Sequence, residues 1–160
     1  MQIAAKSRAV GYWTICYPSD LNKDFPMPTQ TEITQFLATE FPQSQCIVLA
    51  VGPMSATVKH PVGINELRPG GTVSGPVMMA LADVALYVAI LGEIGIVPLT
   101  VTTSLNINFL RKPAAGAAVI GVCKLIKLGK SLAIGEVSIY SEGSDALVAH
   151  AVGTYAIPRA

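Results

Sequence analysis

The feature that most constrains this chain is one long greasy run. From Val77 to Leu91 every residue is apolar or aromatic except Asp83. Its Met, Ala and Leu content favours helix. Pro76 suits the first helical turn, with Ser74 or Gly75 as cap, and Gly92 or Gly95 can close the far end. About 17 residues at 1.5 Å each make a helix of roughly 25 Å. A helix that is apolar all round lies inside a protein or inside a membrane. This one is marginally short for a span, carries an acid, and sits among segments that read as antiparallel strands. The expectation is therefore an α+β fold: a curved antiparallel sheet wrapped around one long central helix, with no membrane partner.

The flanking segments supply that sheet. Cys46 to Val51 and Ala56 to Val62 read as strands around Gly52-Pro53. After Pro98 the pattern turns to period two. Leu105, Ile107 and Phe109 fall on one face, and Thr102, Ser104, Asn106 and Asn108 on the other. Ala117 to Lys127, Ser131 to Tyr140 and Ala146 to Ile157 complete a meander of four strands. Its turns lie at Leu128-Gly129-Lys130 and Glu142-Gly143-Ser144-Asp145. Leu132 and Ile134 share one parity while Val137 and Ile139 take the other, so a bulge is expected at Gly135-Glu136. Ahead of the sheet, Thr29-Gln-Thr-Glu32 is a capping box, and Ile33, Phe36, Leu37 and Phe41 follow at helical spacing until Pro42. Residues 1–28 read as an irregular extension of the domain formed by 29–160: Trp13 and Tyr17 are expected to pack onto it, and with Phe25 they point to a segment that covers part of the pocket or extends the interface.

Composition narrows the function classes. Hydrophobic residues make up 51% of the 160 and charged residues only 13%. A small domain that apolar is expected to cover part of its surface with a second copy of itself, as a homodimer or homotetramer. A formal net charge of +1 gives no electrostatic case for nucleic acid or an anionic membrane. Cys16, Cys46 and Cys123 are odd in number and widely spaced, which favours a reducing cytoplasm over a disulfide framework. His60 and His150 stand apart from any ligand spacing, so no metal site is expected and both read as ordinary strand histidines. Lys6 and Arg8 interrupt the N-terminus before an apolar stretch forms, so no signal peptide is expected.

The candidate chemistry centres on Asp83. An unpaired carboxylate in a core costs several kcal/mol, and Asp83 lies about two turns into the helix, too deep to cap it. It is either a satisfied buried acid or a general base or nucleophile lining a pocket. The turn Gly70-Gly-Thr-Val-Ser74-Gly75 leads straight into the same helix, whose first amides are free and carry partial positive charge. Such a terminus can hold a carbonyl oxygen as it becomes an oxyanion, although Pro76 removes one donor. Arg111-Lys112, at a strand end, is either a solvated tip or a contact for phosphates.

These residues resemble the hotdog-fold acyl-CoA thioesterases of the PaaI-like type. The likeness rests on Gly71-Thr-Val-Ser74-Gly75-Pro76, on Met79-Ala-Leu81-Ala-Asp83, on Thr102 through Pro113, on Leu128-Gly129-Lys130 and on Leu147 through Thr154. It implies a five- or six-stranded sheet around the long helix, active sites at a dimer interface, and hydrolysis of an acyl- or aryl-CoA thioester without metal or other cofactor. Carried over, Asp83 would activate water or attack directly. The Gly75 amide would polarise the thioester carbonyl, and Thr102, from the partner subunit, would orient water, with Ser104 on the same strand face. Arg68, Ser74, Ser104, Arg111 and Lys112 would contact substrate. Ser74 replaces the family's usual His, Pro76 its second Gly and Arg68 a common Asn. These departures leave a non-catalytic module for acyl-CoA or another hydrophobic ligand as the alternative.

Overall fold

The computed structural model describes residues 26–158. Most of the expected N-terminal extension, with Trp13, Cys16, Tyr17 and Phe25, lies outside the described residues.

Helix α1 (Gln30–Glu40) starts at the expected capping box: the Glu32 amide donates to Thr29 Oγ1 and the Thr29 amide to Glu32 Oε2. It packs through Ile33 and Leu37. Strands β1 (Ile47–Gly52) and β2 (Ser55–His60) follow, then a short 3-10 turn (Ile64–Glu66). A small ladder of β3 (Leu67–Arg68) and β4 (Thr72–Val73) comes next. Gly70 and Gly71 turn it, both at positive φ, where a Cβ would be strained. The long helix α2 (Gly75–Ile94) is 20 residues, longer than expected, about 30 Å. Strands β5 (Val101–Phe109), β6 (Val119–Leu128), β7 (Leu132–Ser141) and β8 (Leu147–Ala156) complete the chain.

All large-sheet pairings are antiparallel, in the order β1-β2-β6-β7-β8-β5. The fold class is as the sequence implies: six strands curved around α2. The meander, however, holds only for β6, β7 and β8. Strand β5 does not join β6 but crosses to the outside of β8 and forms a sheet edge. Turn signals report local reversals and carry no information on a crossing connection.

Helix α2 presses its apolar bulk into the sheet. Leu81, Leu86, Val88, Ile90 and Leu91 are fully buried. Its mean hydropathy of 2.0 over an 18-residue window would suit a membrane, but here the sheet encloses it. Leu86 docks where Gly135 and Gly153 pair across β7 and β8: an added Cβ would approach Leu86 to 2.7 Å at Gly135 and 2.4 Å at Gly153. The sheet can close on the helix because two facing positions lack side chains.

This corrects the expected bulge. Strand β7 has no slip at Gly135-Glu136; Ala133, Gly135, Val137, Ile139 and Ser141 all face the helix. The extra residue is Ile126 on β6, where Leu125 pairs with Gly135 and Lys127 with Ile134. Leu132 and Ile134 lie on the outer face. The sequence misleads because that outer face is itself partly apolar.

Candidate active site

Helix α2 is not covered equally on all sides. Pro76, Met79 and Ala80 are exposed, and Asp83 and Tyr87 half-buried, between positions that are mostly buried. Their three- and four-residue spacing makes one stripe along the helix. The sheet leaves that stripe open, which answers why an acid is tolerated in the greasiest segment: Asp83 lies on its open side.

The Asp83 carboxylate is held by one oxygen. Thr102 Oγ1 donates to Oδ1 at 2.5 Å and the Tyr155 hydroxyl reaches the same Oδ1 at 2.6 Å. That hydroxyl is also 2.8 Å from the Asp83 main-chain oxygen. Among the described residues Oδ2 has no hydrogen-bond partner. Tyr155 is itself buried, and its ring stacks on Tyr87 at 6.3 Å. Burial, then the Asp83 charge, push the Tyr155 hydroxyl's ionisation far up, so it is a donor at any working pH. Burial raises Tyr87 to about 12, and its hydroxyl bonds the Pro98 carbonyl.

Thr102 reaches Asp83 of its own chain because β5 is kinked there. Thr102 pairs with Tyr155 and Ser104 with Thr154, leaving Thr103 as the bulged residue. The bulge reverses parity. Thr102 faces the helix as Leu105 does, while Ser104 turns to the outer face with Asn106 and Asn108. The expectation that Thr102 and Ser104 share a face is therefore overturned, and Thr102 bonds the Asp83 of its own chain. Strict alternation in the sequence cannot show a one-residue insertion.

A cavity of about 480 Å³ opens beside the carboxylate. Phe36, Glu40 and Phe41 line it from α1 and its end, with Tyr87, Pro98 and Tyr155 opposite. A second cavity of about 680 Å³ lies at the start of α2. It gathers Arg68, Gly75, Arg111 and Lys112, so four of the residues singled out in the sequence do meet. Arg111 also donates to the Leu147 carbonyl at 3.0 Å. Gly75 begins α2, and among the described residues its amide has no acceptor; the Phe109 ring lies so close that a Cβ on Gly75 would stand 3.1 Å from it. Ser74 is the N-cap residue, but its hydroxyl makes no capping bond.

The two groups are not together in one chain. Eight residues of helix separate Gly75 from Asp83, about 12 Å along the axis, and each lines its own cavity. The protomer thus carries two half-sites: a carboxylate with an apolar and aromatic cavity, and a free amide with cationic side chains.

Sequence reasoning missed Tyr155 and the cavity walls. A signal for Tyr155 did exist. Along β8 the helix-facing positions run Ala149, Ala151, Gly153, Tyr155, three small residues and then one aromatic with a polar tip. It also missed a second polar cluster. Cys46 Sγ lies 3.5 Å from His60 Nδ1, and His60 Nε2 is 3.9 Å from Glu66 Oε1. His60 and Glu66 are buried, and Nε2 has no hydrogen-bond partner among the described residues. Burial lowers the His60 pKa against the opposing pull of Glu66, and burial raises the Cys46 thiol. Cys123 is a plain core residue, as expected. Among the described residues no three His, Cys, Asp or Glu side chains gather as a metal set.

Comparison with known proteins places this arrangement. The model of the thioesterase superfamily matches residues 70–148, from the glycine turn into β8. A Silicibacter protein of known structure, described as a candidate thioesterase, is 40% identical, with 82% of this chain and 92% of that one covered at a TM-score of 0.76. A mutant of the phenylacetic acid degradation protein PaaI from Thermus thermophilus is 29% identical, covering 74% of this chain and 99% of its own at 0.64. The zebrafish thioesterase superfamily member 2, at 20% identity and a TM-score of 0.72 over 82% and 99%, shares the fold. No curated protein matches the chain in sequence. The Silicibacter match, together with six strands curved around one long helix and PaaI among its structural neighbours, establishes that this chain belongs to the hotdog-fold thioesterase superfamily.

Proposed function

We propose that the protein hydrolyses an acyl-CoA or aryl-CoA thioester at sites shared between two copies of the chain. Superfamily membership supports thioester hydrolysis as the reaction class. The observation that carries the finer reading is the free Oδ2 of Asp83 on the uncovered stripe of α2, beside a cavity that holds no oxyanion donor from the helix start. A second copy supplies the missing half. The exposed apolar side chains support such a contact: Met79 on the stripe, Val101 and Phe109 on edge strand β5, and Leu110 just beyond it.

In this reading Asp83 of one protomer faces the Gly75 amide of the other. Oδ2 takes a proton from water as the water oxygen bonds to the thioester carbon. The carbonyl electrons move onto oxygen, where the Gly75 amide and the positive end of α2 stabilise them. Collapse breaks the C–S bond, and the departing sulfur takes the proton back from Asp83. The products are a carboxylic acid and free thiol. Arg68, Arg111 and Lys112 carry charge suited to the phosphates of CoA, while Phe36, Phe41 and Tyr87 wall the space for the acyl or aryl group. The site uses no cofactor, and its reactants suit the cytoplasm.

Subunit mixing tests this arrangement. Asp83→Asn and Gly75→Pro homodimers are each expected to lose at least about 10²-fold in kcat. Mixed and re-equilibrated, they are expected to recover about a quarter of parental activity, since one hybrid site in half the dimers is intact. No recovery on mixing would place both groups in one chain and overturn the shared site. A binding module without turnover is the second reading, favoured by Pro76, which lacks an amide beside Gly75. It predicts CoA-ester binding by calorimetry with no hydrolysis across straight-chain and aryl thioesters.

A further inference from the structure

We propose that Tyr155 positions Asp83 through both halves of its proton cycle, donating to Oδ1 while the carboxyl is ionised and to the main-chain oxygen of Asp83 while the carboxyl holds the proton. The inference rests on the hydrolytic reading above and adds a residue that the motifs do not contain.

A phenol has one proton to donate. The Tyr155 hydroxyl has two acceptors on the same residue, at 2.6 Å and 2.8 Å. The ionised carboxylate is the stronger acceptor, so it takes the bond in the resting state. Once Oδ2 carries a proton, Oδ1 becomes an ordinary carbonyl oxygen. The hydroxyl can then rotate to the main-chain oxygen without moving its ring. Neither state leaves the buried Tyr155 hydroxyl unpaired, which is costly for a buried donor.

The ring is fixed for this task. It is 2% exposed and stacked nearly parallel on Tyr87, with 15° between planes. Tyr87 is tied to the Pro98 carbonyl and meets Phe36 of α1 at 6.4 Å. The polar groups around Asp83 are Thr102 on β5, Tyr155 on β8, Tyr87 on α2, Thr100 in the loop before β5, and Glu40 on α1 across the cavity. None of them is a cation. Two hydroxyl donors thus fix Oδ1, and among the described residues Oδ2 of this cavity-lining acid has no partner.

The test is Tyr155→Phe, which keeps the ring and its stack. Rates are measured from pH 4 to 9 on the acyl-CoA that a panel of straight-chain and aryl thioesters shows to be turned over fastest. The expected result is a loss of about tenfold in kcat, one hydrogen bond's worth, at unchanged KM. Unchanged kcat would overturn the proposal, and so would a loss confined to KM. If Tyr155→Phe does not accumulate as folded protein, 3-fluorotyrosine at position 155 keeps ring and hydroxyl and makes the donor stronger. It must then change kcat at unchanged KM, and an unchanged kcat overturns the proposal. Asp83→Asn separates the two ideas: full activity in that variant sinks the hydrolytic reading itself, whatever Tyr155 does.

Discussion

Two polar clusters interrupt the apolar interior of this protein, and they differ in one decisive respect. Around Asp83, two hydroxyls bond one carboxylate oxygen, the other has no hydrogen-bond partner among the described residues, and the residue lines a cavity. Around His60, a thiol sits on one ring nitrogen while the other has no hydrogen-bond partner among the described residues, and a carboxylate stands 3.9 Å away. The second cluster has the residue types of a nucleophilic relay. Its chemistry points the other way, since burial raises the Cys46 thiol and lowers His60, so the reactive thiolate and imidazolium are both disfavoured. The first cluster has humbler parts, but its acid is half-buried and lines an open cavity. The comparison teaches that access, more than the presence of titratable groups, separates a working site from a structural one.

The contrast is sharpest in the rate. Asp83→Asn is expected to cost about 10²–10⁴ in kcat with circular dichroism and oligomer mass unchanged, while His60→Gln leaves kcat within twofold or so. A comparable loss from His60→Gln, read in the same steady-state assay, would break the distinction. Thr102→Val comes next. It removes one of two donors to Oδ1 and should lower kcat by about tenfold. Ser104→Ala, on the outer side of the Thr103 bulge, should be silent; equal losses at both positions would mean that the bulge does not separate them in solution.

Smaller effects belong to the His60 cluster and are read in stability. His60 binds its proton less readily when folded than when unfolded. The unfolded chain therefore takes up more protons, so stability rises with pH through that window. The His60 contribution is fully present above about pH 6.5, the ordinary histidine value, and is lost as pH falls below it, at no more than about 1.4 kcal/mol per pH unit. Urea midpoints between pH 5 and 7.5 should show this slope, and His60→Gln should flatten it. An unchanged slope would assign the acid sensitivity to other groups. Cys46→Ser is the mildest change. It keeps a donor to His60 on a shorter bond and should shift stability by less than about 1 kcal/mol.

Some of this was legible beforehand for a physical reason. The capping box at Thr29–Glu32, the helix through Asp83 and the outline of all six long strands are local patterns, written in neighbours a few residues apart. So were the glycine turn and the cation pair Arg111-Lys112, which the structure gathers with Arg68 and Gly75 in one cavity. What could not be read involves distance or insertion. The Ile126 and Thr103 bulges each add one residue to a strand without disturbing its composition, and the second decides that Thr102 and not Ser104 meets Asp83. The Cys46–His60 contact joins residues 14 apart, one just ahead of β1 and the other at the end of β2. The bond from Tyr155 to Asp83 spans 72 residues.

By itself the sequence determined that a long apolar helix must be buried and that a sheet must bury it, because exposing so much hydrocarbon to water is too costly for any other arrangement. It also determined that the acid on that helix needed a reason to be there. Only the tertiary structure decided which side of the helix stays open, which hydroxyls hold the carboxylate, and that the amide at Gly75 lies too far along the axis to serve it within one chain. Those outcomes depend on strand order and register, which are set by how Leu86 seats on Gly135 and Gly153 and by where β5 crosses to the sheet edge.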